Sequence, residues 1–154
     1  MPITNTAARY SQALSVIDKE LSLQPNKSES LLNKGWLSIQ LGRFEDAIAP
    51  LNRVIALETS NEEMTQRARF NRGIAFLQLG RLTEAQNDYV ELQKAYTNSF
   101  PVFYGLGEIA YRKKDTNAAI HFYESYLRAM SNAPASAEVS LVKSRLQELK
   151  AGSR

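Results

Sequence analysis

The strongest constraint in this chain is that it repeats itself. Leu41-Gly42-Arg43-Phe44-Glu45-Asp46-Ala47 returns 38 residues later as Leu79-Gly80-Arg81-Leu82-Thr83-Glu84-Ala85. A weaker copy, Lys113-Lys114-Asp115-Thr116-Asn117-Ala118-Ala119, follows 34 residues after the second, and Tyr10-Ser11-Gln12-Ala13 lies 34 residues before Phe44-Glu45-Asp46-Ala47. Repeats of this length are single supersecondary units, none of which can bury its apolar face alone, so they stack on one another.

The pattern inside each copy is helical. Ala47, Ile48, Leu51, Val54 and Ile55 recur at helix spacing, as do Ala85, Tyr89, Leu92 and Tyr96, and Ala119, Ile120, Tyr123, Tyr126 and Leu127. Ala13, Leu14, Ile17 and Leu21 repeat it at the N-terminus, closed by Pro25-Asn26, so this segment reads as a second helix without its first. Ahead of the last three copies stand Gly35, Gly73 and Gly107, each seven residues before Gly42, Gly80 or Lys114. Glycine in mid-helix costs about 1 kcal/mol against alanine, so its recurrence at one register predicts close helix–helix approach. Gly42 and Gly80 fall where the first helix ends and the chain reverses, a position that favours the left-handed conformation. With Lys114 in that place, the third turn is either modestly strained or built in another form.

These residues resemble the tetratricopeptide repeat. Gly35, Gly42, Phe44, Ala47 and Leu51 follow its pattern in the first full repeat, Gly73, Gly80, Leu82, Ala85 and Tyr89 in the second, and Phe103, Leu106, Gly107, Ala119 and Tyr123 in the third. The departures are Thr59 for the usual proline, Lys114 for glycine, and four extra residues around Asn61-Glu62-Glu63-Met64, expected to lengthen a helix or loop. The resemblance implies an all-α fold: a right-handed superhelical solenoid of antiparallel helical hairpins, with a C-terminal capping helix. Along a single domain of residues 1–154 the expected parts are a half repeat at 5–27, repeats at 28–61, 62–99 and 100–132, and a capping helix at 135–150. In that last helix Val139, Val142, Leu146 and Leu149 form an apolar stripe, leaving Glu138, Lys143, Arg145 and Glu148 for a solvating outer face.

The chemistry of catalysis is hard to find in this chain. It has no cysteine and one histidine, His121, which leaves no ligand cluster for zinc and no paired imidazoles. His121 reads as a surface or half-packed side chain. No phosphate loop, dinucleotide fingerprint or nucleophile elbow is present, and Gly105-Leu106-Gly107 reads as close packing. Glu62-Glu63 and Glu45-Asp46 fall at helix starts, where carboxylates complement the dipole. No enzyme activity, cofactor or metal is therefore expected. No segment approaches the ~20 apolar residues of a membrane span, and the first residues lack the pattern of a signal peptide. The compartment stays open: the expectation is a soluble chain of the cytoplasm, or of the periplasm had a signal segment been removed.

The expected function is that of a scaffold or adaptor gripping a protein or peptide. The resemblance places positions two, five, nine, twelve and thirteen of each repeat on the concave side of the first helices. Those are Glu29, Leu32, Trp36, Ile39 and Gln40, then Arg67, Phe70, Ile74, Leu77 and Gln78, then Pro101, Tyr104, Glu108, Tyr111 and Arg112. Ile39 and Leu77 read as inter-repeat core. Trp36, Phe70, Tyr104 and Tyr111 are aromatic anchors of the type that dominates binding energy, flanked by Arg67 and Arg112 for acidic groups. Chaperone adaptors of this family grip a carboxylate with lysine, asparagine and arginine at positions five and nine. Here those positions hold Leu32/Trp36, Phe70/Ile74 and Tyr104/Glu108, and Asn71 alone matches the clamp, so a heat-shock chaperone tail is not the expected ligand. The alternatives are self-assembly through the N-terminal edge and a noncatalytic domain of a larger protein. Nucleic-acid binding is the weakest, because Arg69 and Arg72 share a helix face from which Arg67 diverges.

Overall fold

Three tight reversals set the architecture, and each is made in the same way. At the first, Gly42 N–H donates to the Ile39 carbonyl and Arg43 N–H to the Ser38 carbonyl, at 2.9 and 2.8 Å. Gly80 and Arg81 repeat this onto Leu77 and Phe76, and Lys114 and Asp115 onto Tyr111 and Ala110. This paired bonding satisfies the last carbonyls of the preceding helix and requires a left-handed residue in the middle. Gly42 and Gly80 supply it with φ of 70° and 73°, and Lys114 adopts it with φ of 60°. The third turn therefore keeps the form of the others and carries the strain of a side chain in left-handed backbone.

The computed structural model describes residues 2–152, with side chains from Asn5 onward. These residues form eight helices: α1 Pro2–Leu23, α2 Ser28–Gln40, α3 Phe44–Leu57, α4 Glu62–Gln78, α5 Leu82–Ala95, α6 Phe100–Arg112, α7 Thr116–Ala129 and α8 Ala137–Gly152. No strand occurs among them. The four extra residues lengthen a helix: α4 has 17 residues where α2 and α6 have 13. Asn61 caps its start by accepting from Met64 N–H at 3.1 Å, and Glu62 and Glu63 occupy the first turn. Asp115 caps α7 likewise through Ala118 N–H.

The chain divides into two compact units, Met1–Asp88 and Tyr89–Arg154, with the boundary inside α5. In the first, α1 packs on α2, α2 on α3, and α4 on both α2 and α3. Its core holds Leu14, Leu31, Leu32, Leu37, Ala47, Leu51, Val54, Ala68, Ala75, Phe76, Leu77 and Ala85. The mid-helix glycine does what its recurrence predicts. A methyl group added at Gly35 would lie 2.5 Å from the Leu51 side chain, which is wholly buried.

In the second unit α6 packs on α7 and α7 on α8. Gly107 stands against Tyr123 as Gly35 does against Leu51, with 2.6 Å between the ring and a would-be Cβ. Gly105 lies as close against Tyr89, so both glycines of Gly105-Leu106-Gly107 serve packing. Val142 of α8 is fully buried, and Val139, Leu146 and Leu149 pack against the Phe103, Ala110, Ala119, Tyr123 and Tyr126 cluster.

Candidate functional site

The inner-helix positions of the first unit divide into core and surface. Leu32 is 2% exposed and belongs to the core, which corrects the expectation that it lines a groove. Leu77 is buried too, and Ile39 half-buried. Packing explains this: α2 contacts α1, α3 and α4, and the side chain at Leu32 falls inside that junction. Trp36 by contrast is 40% exposed, with one edge covered by Tyr10 of α1 in an edge-to-face contact at 5.5 Å between centroids. On α4, Arg67 and Gln78 are exposed while Phe70, Asn71 and Ile74 are half-buried, and Gln40 on α2 is exposed.

Arg72 takes no part in that surface. Its guanidinium forks onto Asp88, with Nε and an Nη at 2.8 and 2.5 Å from the two carboxylate oxygens, and its other Nη donates to Asn52 at 2.8 Å. Asp88 is 3% exposed, so this cation neutralises a buried charge. Arg81 adds a fork to Glu84 and lies 4.7 Å from the centre of the Phe76 ring. Of the arginines weighed for phosphate contact, Arg72 is thus committed to an internal clamp.

The second unit is arranged differently from what the sequence suggests. Tyr104 is half-buried against Tyr126 at 5.7 Å, and Arg112 is exposed. Glu108 is 4% exposed, and Tyr123 Oη donates to its carboxylate at 2.6 Å. Arg145 of α8 bonds the same carboxylate, lies 3.2 Å from Tyr123 Oη, and stacks 4.4 Å from the centre of the Tyr111 ring. Glu138 of α8 accepts from Tyr126 Oη at 2.5 Å. Of the residues assigned to a solvating outer face, Arg145 therefore turns inward, and Glu138, itself exposed, accepts from the Tyr126 hydroxyl. Helix periodicity misses this because both flank the apolar stripe, and a long side chain can reach around its edge. Burial, followed by the hydrogen bond to Glu108, pushes the Tyr123 hydroxyl well above the usual tyrosine range. Burial works against the Arg145 charge, but Tyr123 and Glu108 outweigh it and hold the guanidinium above its ordinary value.

Among the described residues no group of three or more His, Cys, Asp or Glu side chains could hold a metal, and His121 is exposed beside Phe122. No described helix is long and apolar enough to cross a membrane.

The family model described as Tetratricopeptide repeat matches residues 6–62, 42–98 and 70–134. The chain belongs to the tetratricopeptide-repeat family. No curated protein matches it. Tetratricopeptide repeats generally mediate protein–protein interaction and are typically noncatalytic. In this tetratricopeptide-repeat protein the two units differ at the corresponding position: an exposed tryptophan, Trp36, in the first, and a buried acid, Glu108, bonded by Arg145 of the last helix in the second.

Proposed function

We propose that this protein is a scaffold or adaptor, and that the α2 and α4 surface of its first unit binds an extended or helical segment of another protein. The observation that carries this is Trp36: a large ring, held edge-on by Tyr10, that leaves two-fifths of its surface open. Such a side chain is already ordered, so a partner gains its apolar area at little further entropic cost. Phe70, Asn71 and Ile74 stand on the packed neighbour α4, and Arg67, Gln40 and Gln78 supply exposed polar groups at the rim. An apolar anchor beside Trp36 with an acidic residue reaching Arg67 fits this set.

Trp36 is the only tryptophan, so its fluorescence reports the site directly. Candidate partners from the source cells are to be titrated against the wild-type chain and against Trp36→Ala, with circular dichroism establishing that the variant folds. The expected result is a shifted emission for the wild type and affinity weaker by about tenfold or more for the variant, the size of a hot-spot loss. A folded Trp36→Ala chain that binds the same partner unchanged removes this reading. Self-association is favoured by a separate observation, the exposure of Val16 and Leu23 on α1 at 63% and 84%. Its signature is a dimer in sedimentation that grows with concentration and is lost in Val16→Asp.

A further inference from the structure

In the second unit the inner surface of α6 is already filled, and what fills it specifies a ligand. Glu108 stands at the register of Trp36 in the first full repeat and of Ile74 in the second. A carboxylate there is anomalous, because burial without a cation is costly. The chain supplies the nearer cation from its last helix, while Arg112 of α6 lies 3.9 Å from the other carboxylate oxygen. Arg145 reaches the Glu108 carboxylate, with Tyr123 Oη bonded to the same oxygen and the Tyr111 ring under the guanidinium. An apolar pair at positions 108 and 145 would hold a permanent cap at least as well, since buried ion pairs are often no more stabilising than well-packed hydrophobic substitutes. What a charged pair adds is discrimination: only a helix carrying a cation at that place can cover the acid.

The attachment of α8 suits exchange. Val142 is its one fully buried side chain, where α6 has six; Val139, Leu146 and Leu149 are half-buried against the core, and its other anchors are polar: Glu138 to Tyr126, Lys150 to Glu124, and Arg145 itself. The segment that joins it to α7, residues 131–136, is exposed throughout and has no helix. We propose that Glu108, Tyr111 and Tyr123 form a recognition site for an arginine-bearing amphipathic helix of a partner protein, which α8 occupies in the free chain. The spacing of α8 defines the ligand: apolar residues placed as Val139, Val142, Leu146 and Leu149, with arginine immediately before the third. This site shares no residue with the Trp36 surface, and either can fail alone.

The test uses the full chain and a labelled peptide of residues 137–152 as the probe. Hydrogen exchange on the wild type is expected to show α8 amides opening at least tenfold faster than those of α6 and α7. Excess peptide is expected to speed α8 exchange further by displacing it. The peptide is expected to bind the Arg145→Ala chain at least tenfold tighter than the wild type. Replacing the peptide's own arginine with alanine is expected to remove that binding. Should Arg145→Ala fail to fold, the exchange measurements on the wild type still decide. The proposal is overturned if α8 opens only together with α6 and α7, if the peptide neither binds nor displaces α8, or if it binds equally with and without arginine. A concentration-dependent dimer in which α8 protection rises with dimer content would also overturn it, by making a second copy the occupant.

Discussion

Gly35 and Lys114 show how single residues carry the repeat, one by lacking a side chain and the other by having one. At Gly35 an alanine would gain roughly 1 kcal/mol of helix propensity, but its methyl would press on Leu51, which is enclosed on every side. Overpacking of this type costs about 1–3 kcal/mol. Gly35→Ala is therefore expected to lower stability by up to about 2 kcal/mol in urea denaturation, and Leu51→Ala in the same chain to cost less than it does alone. Lys114 presents the reverse case. Its φ of 60° is one that an L-residue adopts at a cost of roughly 1–2 kcal/mol. Nothing on its turn needs the side chain, since the two hydrogen bonds are backbone only. Lys114→Gly is expected to raise the denaturation midpoint, by about 1 kcal/mol in free energy. Both positions were legible as sequence: the glycine by its recurrence, the lysine by its departure from it.

At the scale of helices, the apolar stripes predicted the packed faces and the polar clamps were invisible. Arg72 was legible only as part of a basic cluster on α4. Its role depends on Asp88 and Asn52, 16 and 20 residues away, converging on it. Replacing Arg72 with methionine leaves Asp88 buried without its cation, a change that costs about 3–5 kcal/mol where the acid cannot relax to water. The expectation is a large fall in the denaturation midpoint for Arg72→Met, with much of it recovered in the double variant Arg72→Met/Asp88→Leu. If the single variant unfolds at the wild-type midpoint, the clamp contributes nothing. The same reasoning covers α8: sequence periodicity assigned Val139, Val142, Leu146 and Leu149 to its buried stripe, yet could not tell that Arg145 bends back over Tyr111.

For the molecule as a whole, the response to alkali should be dominated by the second unit. Burial and hydrogen bonds to carboxylates raise Tyr123 and Tyr126 above the ordinary tyrosine value near 10. A group whose folded value is raised contributes stability that is complete below its unfolded value and is lost as pH climbs through the folded one. Denaturation midpoints are therefore expected to hold up to about pH 10 and to fall above it, and Tyr123→Phe should make that fall shallower. Absorbance of ionised tyrosine, followed beside circular dichroism, checks the link. What the sequence determined by itself was the all-α repeat, the hairpin turns, the helix contacts of Gly35 and Gly107, and the family, because each rests on local spacing that one stretch of chain can state. Tertiary structure alone decided that Leu32 is core, that Trp36 leans on Tyr10, that Asp88 holds Arg72, and that Glu108 is met by Arg145. Those outcomes depend on which side chains meet across distant helices, and periodicity fixes the face of a helix without fixing how far a flexible side chain reaches beyond it.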